Sequence, residues 1–415
     1  MKDFKFDLDY VREQFPCLCK TVNGLPAAFL DGPGGTQVPR SVVDKISEYL
    51  FYHNANAHGC FVTSLETMAL QQEARETLAA FFNCSPKEVV FGESSSTNNF
   101  KLVFAIARDL KAGDEVIITD IDHESNRSPL RTLEERGIIV KSVRIDLSTY
   151  TLDMDDYKSM LNEKTKVVAI NWAANANGTI TDVKPMIEMA HNVGALTIID
   201  AVHYAAHQVI DVKDIGTDFL VTSAYKFFGP HMGVMYAKHE ALEKIRTLRV
   251  LADDNTMPPE KIETGTPNFE HICGCAAAVD FIADIGKRHE DYFAEELKGL
   301  SGKRKDIVAG MLAIDAYEAP MAQKLRTELG KIPGLKLYTS PEGYPKTSTV
   351  SFTIEGRNAH DIAEFLAARG IFVWDGDFYA IRAIEVLGLA PSGGVIRVGF
   401  SMYNTREEIA RLLEE

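Results

Sequence analysis

Between about residues 85 and 240, short runs rich in Val and Ile alternate with longer stretches whose apolar positions recur at helical spacing. The pattern predicts strands at 88–91, 115–119, 140–145, 166–171, 196–200, 218–223 and 233–237. It predicts helices at 98–110, 128–136, 155–161 and 184–192. Continuous apolar strands between helices imply a mainly parallel sheet covered on both faces, an α/β fold. Residues 286–312, rich in Lys and Glu, read as one connecting helix. Beyond them, strand-like 347–353, 371–374 and 395–400 are separated by helical 361–368 and 406–413, which predicts a smaller α+β domain. The expected division is an N-terminal segment 1–30 packed on the body, a large domain 31–285 and a small domain 286–415.

In parallel sheets ligands gather beyond the carboxyl ends of the strands. The residues there are polar: Ser94-Ser95-Ser96-Thr97, Asp120-Ile121-Asp122-His123, Ala174-Asn175-Ala176-Asn177, Asp200-Ala201-Val202-His203 and Ser223-Ala224-Tyr225-Lys226. Composition narrows what such a site would bind. With 59 acidic against 44 basic residues and a formal charge of -15, neither nucleic acid nor an anionic membrane is the expected partner, and small molecules come first. Six cysteines among 415 residues are too few for a disulfide framework, and the first residues lack the apolar core of a signal peptide, so a cytoplasmic protein is expected. No run of 18 apolar residues is present, so no membrane span is expected. Cys17/Cys19 and Cys273/Cys275 lack the spacing of a zinc site, and no metal is expected.

Lys226 sits at a strand end within the aromatic and Gly-Pro run Tyr225-Lys226-Phe227-Phe228-Gly229-Pro230. Partial desolvation there lowers an amine's pKa, and an ordinary lysine near 10.4 must fall by roughly 2–3 units to act as a nucleophile at neutral pH. By itself the residue also reads as a lysine snorkelling from a strand edge. Asp200 closes the apolar run Leu196-Thr197-Ile198-Ile199, where a buried carboxylate requires a cation. The ring nitrogen of pyridoxal phosphate would be such a cation, and an N-cap of the next helix is the alternative. Four consecutive hydroxyls between a strand and a helix start exceed what capping needs and suit a phosphate.

These residues carry a family likeness. Ser223-Ala224-Tyr225-Lys226-Phe227-Phe228-Gly229-Pro230 together with Asp200-Ala201-Val202-His203 resembles the class V aminotransferase family of fold-type I pyridoxal phosphate enzymes, in its cysteine desulfurase-like branch. The likeness runs from Leu30-Asp31-Gly32-Pro33 to Tyr403-Asn404-Thr405. It implies a large domain with a mainly parallel seven-stranded sheet plus a smaller C-terminal α+β domain. It also implies Lys226 as the lysine that binds the cofactor's aldehyde, Asp200 as partner of the pyridine nitrogen, and His123 as the imidazole stacked on the ring. Asn175 matches the asparagine near the phenolic oxygen, and Ser95, Ser96 and Ser223 match phosphate contacts. Thr266 matches a threonine reaching the phosphate of a neighbouring subunit, which implies a homodimer. Arg397 matches the arginine for a substrate α-carboxylate, and His58 falls on a loop near the substrate.

Three departures bear on the reaction. His203 stands where the family has glutamine, and Tyr225 replaces a histidine; both keep a hydrogen-bonding tip. The desulfurase-like proteins carry a mobile loop whose cysteine takes up the substrate sulfur. Here that loop reads Val373-Trp374-Asp375-Gly376-Asp377-Phe378-Tyr379-Ala380, with Tyr379 at the cysteine position, Trp374 in place of an arginine, and no cysteine after Cys275. Cys60, on the His58 loop, is the one alternative nucleophile. The expected function is a C–S lyase that β-eliminates a small, cysteine-like amino acid with Lys226 as base, Tyr379 lining the substrate pocket, and no persulfide. Racemisation or epimerisation, then transamination, use the same residues, and a degenerate binding scaffold is the reading from another class.

Overall fold

The computed structural model describes residues 4–248, 250 and 257–415. Its central sheet has seven strands: β1 Val89–Gly92, β2 Glu115–Thr119, β3 Ile139–Val143, β4 Thr165–Asn171, β5 Leu196–Asp200, β6 Phe219–Ser223 and β7 Gly233–Ala237, in the order β1-β7-β6-β5-β4-β2-β3. Neighbours from β6 through β3 are parallel, and β7 alone runs against both β6 and β1. The reason is connection length. Residues 224–232 are too few for the dozen-residue crossover that a parallel neighbour needs, so the chain turns straight back. That tight return carries Lys226.

The helices around the site are α1 Arg40–Glu48, α2 Val62–Phe82, α3 Ser95–Ala107, α4 Glu124–Arg131, α5 Val183–Asn192, α6 Phe269–His289, α7 Gly302–Leu329, α8 Ala359–Ala367, α9 Ile381–Val386 and α10 Arg406–Glu414. Because side chains alternate across a strand, each sheet face has its own core. Ile117, Val168, Ile199 and Leu220 pack with Phe81 and Phe82 of α2, Met186 of α5 and Ile282 of α6. Val116, Val167, Ile198 and Val221 pack on the other side with Leu102 and Ile106 of α3 and Leu130 of α4.

The C-terminal sheet is antiparallel: β8 Leu335–Leu337, β9 Thr349–Ile354, β10 Trp374–Gly376 and β11 Val395–Gly399, ordered β8-β9-β11-β10. Val350, Ile396 and Val398 bury its inner face against Leu325 of α7, Leu366 of α8 and Leu412 of α10. The N-terminal segment contributes to both cores, Phe6, Val11 and Phe15 to the first and Ala28 and Leu30 to the last.

Two expected elements change shape. The stretch 286–312 is the corner of a helical hairpin, because α6 ends at His289 and α7 begins at Gly302. Left-handed Gly299 and Gly302 turn the chain there. Gly286 lets the two helices cross in contact, since a Cβ on it would lie 1.8 Å from the Asp306 carbonyl oxygen. The expected strand at 371–374 divides between two partners: Ile371–Phe372 pairs with Ala28–Phe29, whereas Trp374 begins β10. Among the described residues no helix is long and apolar enough to cross a membrane.

Candidate functional site

Lys226 ends the short turn after β6, anchored by the buried Phe227 and Phe228. Its Nζ donates to the Pro33 carbonyl and lies 5.1 Å from the Tyr225 ring centroid. Burial, then the Arg397 guanidinium, pulls the ammonium down to about 7, against the opposing pull of Asp200. Asp200, at the carboxyl end of β5, accepts the Val202 N–H at 2.9 Å. That bond closes a turn and caps no helix. Burial pushes its carboxyl up to about 6, and Lys226 pulls it back. A second cation facing it would return it to full charge.

His123 precedes α4, and its Nδ1 accepts the Ser125 N–H at 3.0 Å, which holds the ring at the helix entrance. Beneath it, Asp122 fixes the turn by accepting the Thr119 N–H at 2.9 Å and the Asn126 amide at 3.0 Å. Burial, with Lys226 and Arg397 adding, brings His123 down to about 4, so the ring is neutral near pH 7.

At the start of α3, Ser94 is the cap: its hydroxyl takes the Thr97 N–H at 3.1 Å, and its carbonyl takes the Asn98 N–H at 3.0 Å. Ser95 and Ser96 therefore fall inside the first turn rather than ahead of the helix, and among the described residues no acceptor takes their N–H groups. Ser223 donates its hydroxyl to Ser95 at 2.9 Å from behind. Free N–H groups at a helix N-terminus beside two hydroxyls make an anion cradle.

The remaining side chains close the opposite wall. Arg397 is buried on β11, donates Nη1 to the Asn175 carbonyl at 3.0 Å, and stacks 3.8 Å from the Phe378 ring centroid. Asn175 donates its amide to the Phe378 carbonyl at 2.9 Å. His203 Nε2 lies 2.9 Å from the Thr349 hydroxyl and 3.1 Å from that of Thr347, and burial holds this ring well below the usual histidine value.

A cavity of about 210 Å³ joins Ser95, Ser96, His123, Asn175, Asp200, His203, Tyr225, Lys226, Tyr379 and Arg397. Ser223 lies directly behind it through Ser95. His58 and Thr266 are not in this cavity; they share a separate cleft with Phe269. Asn171, Ser125, Val202 and Gly34 also line the cavity and were not singled out from the sequence. Asn171 pairs with Asp200 in register as the last residue of its own strand, so the strand-end rule that found Asp200 also points to it. The cavity fits pyridoxal phosphate in kind. It has a neutralisable amine, a buried carboxylate, an anion cradle and buried lining atoms without a partner among the described residues: Asn171 Oδ1, Asn175 Oδ1 and Arg397 Nε.

The family model for Aminotransferase class-V matches residues 28–304 and 306–412. The chain belongs to this family. As a class V aminotransferase family member it is a pyridoxal phosphate-dependent enzyme of fold-type I. A cysteine desulfurase of Pectobacterium carotovorum is 29% identical, with 98% of this chain and 97% of the relative covered. A probable cysteine desulfurase of Synechocystis is 30% identical, covering 97% and 93%. Among solved structures, the apo cysteine desulfurase of Thermococcus onnurineus NA1 superposes with a TM-score of 0.85 at 25% identity, over 100% of this chain and 98% of that one. All six cysteines of this family member are described, and none lines the cavity.

Proposed function

We propose that the chain is a C–S lyase that breaks the Cβ–Sγ bond of a cysteine-like amino acid by β-elimination and stores no sulfur on the loop before Arg397. The observation that carries the reading is Tyr379, which stands at the cavity rim on a loop without cysteine, while Cys60 is exposed outside the cavity.

Bound pyridoxal phosphate supplies the electron sink for charge developing at the substrate's α-carbon. In this reading Asp200 keeps the pyridine nitrogen protonated, the α3 N-terminus with Ser95, Ser96 and Ser223 holds the phosphate, and His123 covers the ring as a neutral plane. His203 and Asn175 would stand beside the phenolic oxygen. Arg397 takes the substrate carboxylate, its guanidinium oriented by the Asn175 carbonyl and the Phe378 ring. Lys226, held near neutrality by burial, accepts the Cα proton. Loss of the sulfur group leaves an enamine that water converts to a keto acid and ammonia, so no thiol acceptor is needed.

The reading includes a homodimer in which His58 and Thr266 complete the neighbour's site. It is supported by exposed apolar side chains that flank the His58 segment in the chain, where Phe51 is 77%, Tyr52 71% and Val62 67% exposed. It is tested by exposing the loaded enzyme to L-cysteine and mapping its peptides by mass spectrometry. No persulfide on Cys60, and unchanged turnover in Cys60→Ala, is the expected result. A Cys60 persulfide whose loss abolishes turnover overturns the reading.

A further inference from the structure

Resting on the β-elimination reading above, we propose that the preferred substrate is a cysteine carrying a neutral, apolar substituent on sulfur, and that Trp374, Phe378 and Tyr379 select it. The loop that bears Phe378 and Tyr379 is tied down at successive points. Asn175 holds the Phe378 carbonyl at 2.9 Å, the Glu124 N–H holds the Tyr379 carbonyl at 2.7 Å, and Asp377 accepts the Tyr379 N–H at 2.8 Å. Just beyond, Arg382 reaches the buried Asp120 at 3.3 Å. Two consecutive non-glycine residues in the left-handed region, Phe378 at φ 57° and Tyr379 at φ 58°, persist only where neighbours over-determine them. A loop so held, and without a cysteine, presents a surface to the cavity rather than an arm carrying a thiol. It is a wall.

The wall is aromatic and faces the reacting end of the cavity. Trp374 packs on Gly34, where a Cβ would lie 1.9 Å from the indole nitrogen, so only glycine admits the indole there. The Tyr379 ring centroid lies 5.5 Å from that of His123. Trp374 and Tyr379 nevertheless leave 47% and 67% of their surface exposed at the rim, apolar area that a substituent would cover. Charge narrows the class further. Besides histidine and tyrosine, the acidic and basic lining groups are Asp200, Lys226 and Arg397, each already engaged by the cofactor or the substrate carboxylate in the reading above. His123 and His203 are neutral, so a charged substituent would lose its hydration without a counterion. The chemistry balances without an oxidant or a sulfur acceptor. The Cα proton goes to Lys226, the Cβ–Sγ bond breaks with its electron pair on sulfur, and the thiolate leaves with the substituent and takes a proton from water.

The test compares S-benzyl-L-cysteine, S-methyl-L-cysteine and L-cysteine by keto-acid formation with the loaded enzyme. In parallel, binding of unreactive L-phenylalanine and L-alanine is followed through the cofactor's absorption. S-benzyl-L-cysteine is expected to exceed S-methyl-L-cysteine in kcat/KM by about tenfold or more, the scale of a filled apolar pocket. Phenylalanine is expected to bind tighter than alanine. Trp374→Ala and Tyr379→Ala each reduce both preferences severalfold, whereas Tyr379→Phe keeps them. Equal kcat/KM values together with equal binding of the two unreactive amino acids overturn the inference and leave the elimination reading standing if L-cysteine yields keto acid. Selective phenylalanine binding that the alanine variants abolish, with no thioether cleaved, upholds the pocket assignment and sinks the elimination reading.

Discussion

The main-chain N–H of Glu124 donates to the carbonyl of Tyr379 at 2.7 Å, so the helix entered at His123 also holds the loop that faces it. The first turn of α4 thus ties His123 and Tyr379 into one rim of the cavity.

That rim carries backbone strain, and relieving it has an opposite effect on stability and on function. Tyr379 is two-thirds exposed, so its side chain contributes little burial, while a left-handed non-glycine residue costs roughly 1–2 kcal/mol. Tyr379→Gly is expected to raise the denaturant midpoint, by about 1 kcal/mol in stability, and to lower turnover. A Tyr379→Gly protein less stable than the parent by urea unfolding contradicts the strain argument.

A buried lysine held near 7 makes the cofactor-free chain pH-sensitive in a defined direction. Below pH 7 Lys226 is protonated in both the folded and unfolded states, and the full cost of burying the charge is present. Between about 7 and about 10.4 the unfolded chain holds the extra proton, so the contribution of this residue to stability rises with pH. Lys226→Met is therefore expected to be more stable than the parent at pH 6, by roughly 4–5 kcal/mol, with a gap that closes toward pH 10. A gap that does not change with pH contradicts the assignment.

Gly233 opens β7 against the anion cradle. A Cβ there would lie 2.3 Å from the Ser94 carbonyl carbon and 2.7 Å from the Ser95 nitrogen, both main-chain atoms that cannot rotate away. Gly233→Ala is expected to cost about 1–3 kcal/mol. It is also expected to weaken cofactor binding, read by titrating the absorption band. Unchanged cofactor affinity would mean that the α3 N-terminus is not the phosphate site.

Much of this arrangement is legible in the sequence, and the failures have physical causes. Strands β2, β5 and β7 run end to end as the apolar pattern predicts, because central strands covered on both faces read as near-continuous apolar runs whichever way they point. Asp200 and Lys226 stand out for the same reason, as polar groups ending apolar runs. Ser95 and Ser96 read as a loop because serine favours positions ahead of a helix, although Ser94 alone does the capping. The corner at 290–301 is hidden because Gly286 serves a helix crossing, a tertiary demand that no local period records. Nothing in Phe378-Tyr379 announces a left-handed backbone, since non-glycine residues reach it only under tertiary constraint.

Assembly is testable on the exposed apolar residues that flank the His58 segment. Wild-type protein is expected to sediment as a dimer, and the paired substitution Phe51→Asp with Val62→Asp to sediment as a monomer with weakened cofactor binding. Thr266→Ala is expected to weaken cofactor binding while leaving the dimer intact. A monomeric wild type that binds cofactor fully would remove the shared-site arrangement.

The most direct test of the whole account is the carbon product formed from L-cysteine by the loaded enzyme. β-Elimination with Lys226 as base predicts pyruvate, ammonia and sulfide in equal amounts, all lost in Lys226→Ala. Alanine as the carbon product, with sulfur left on a protein thiol, would contradict it.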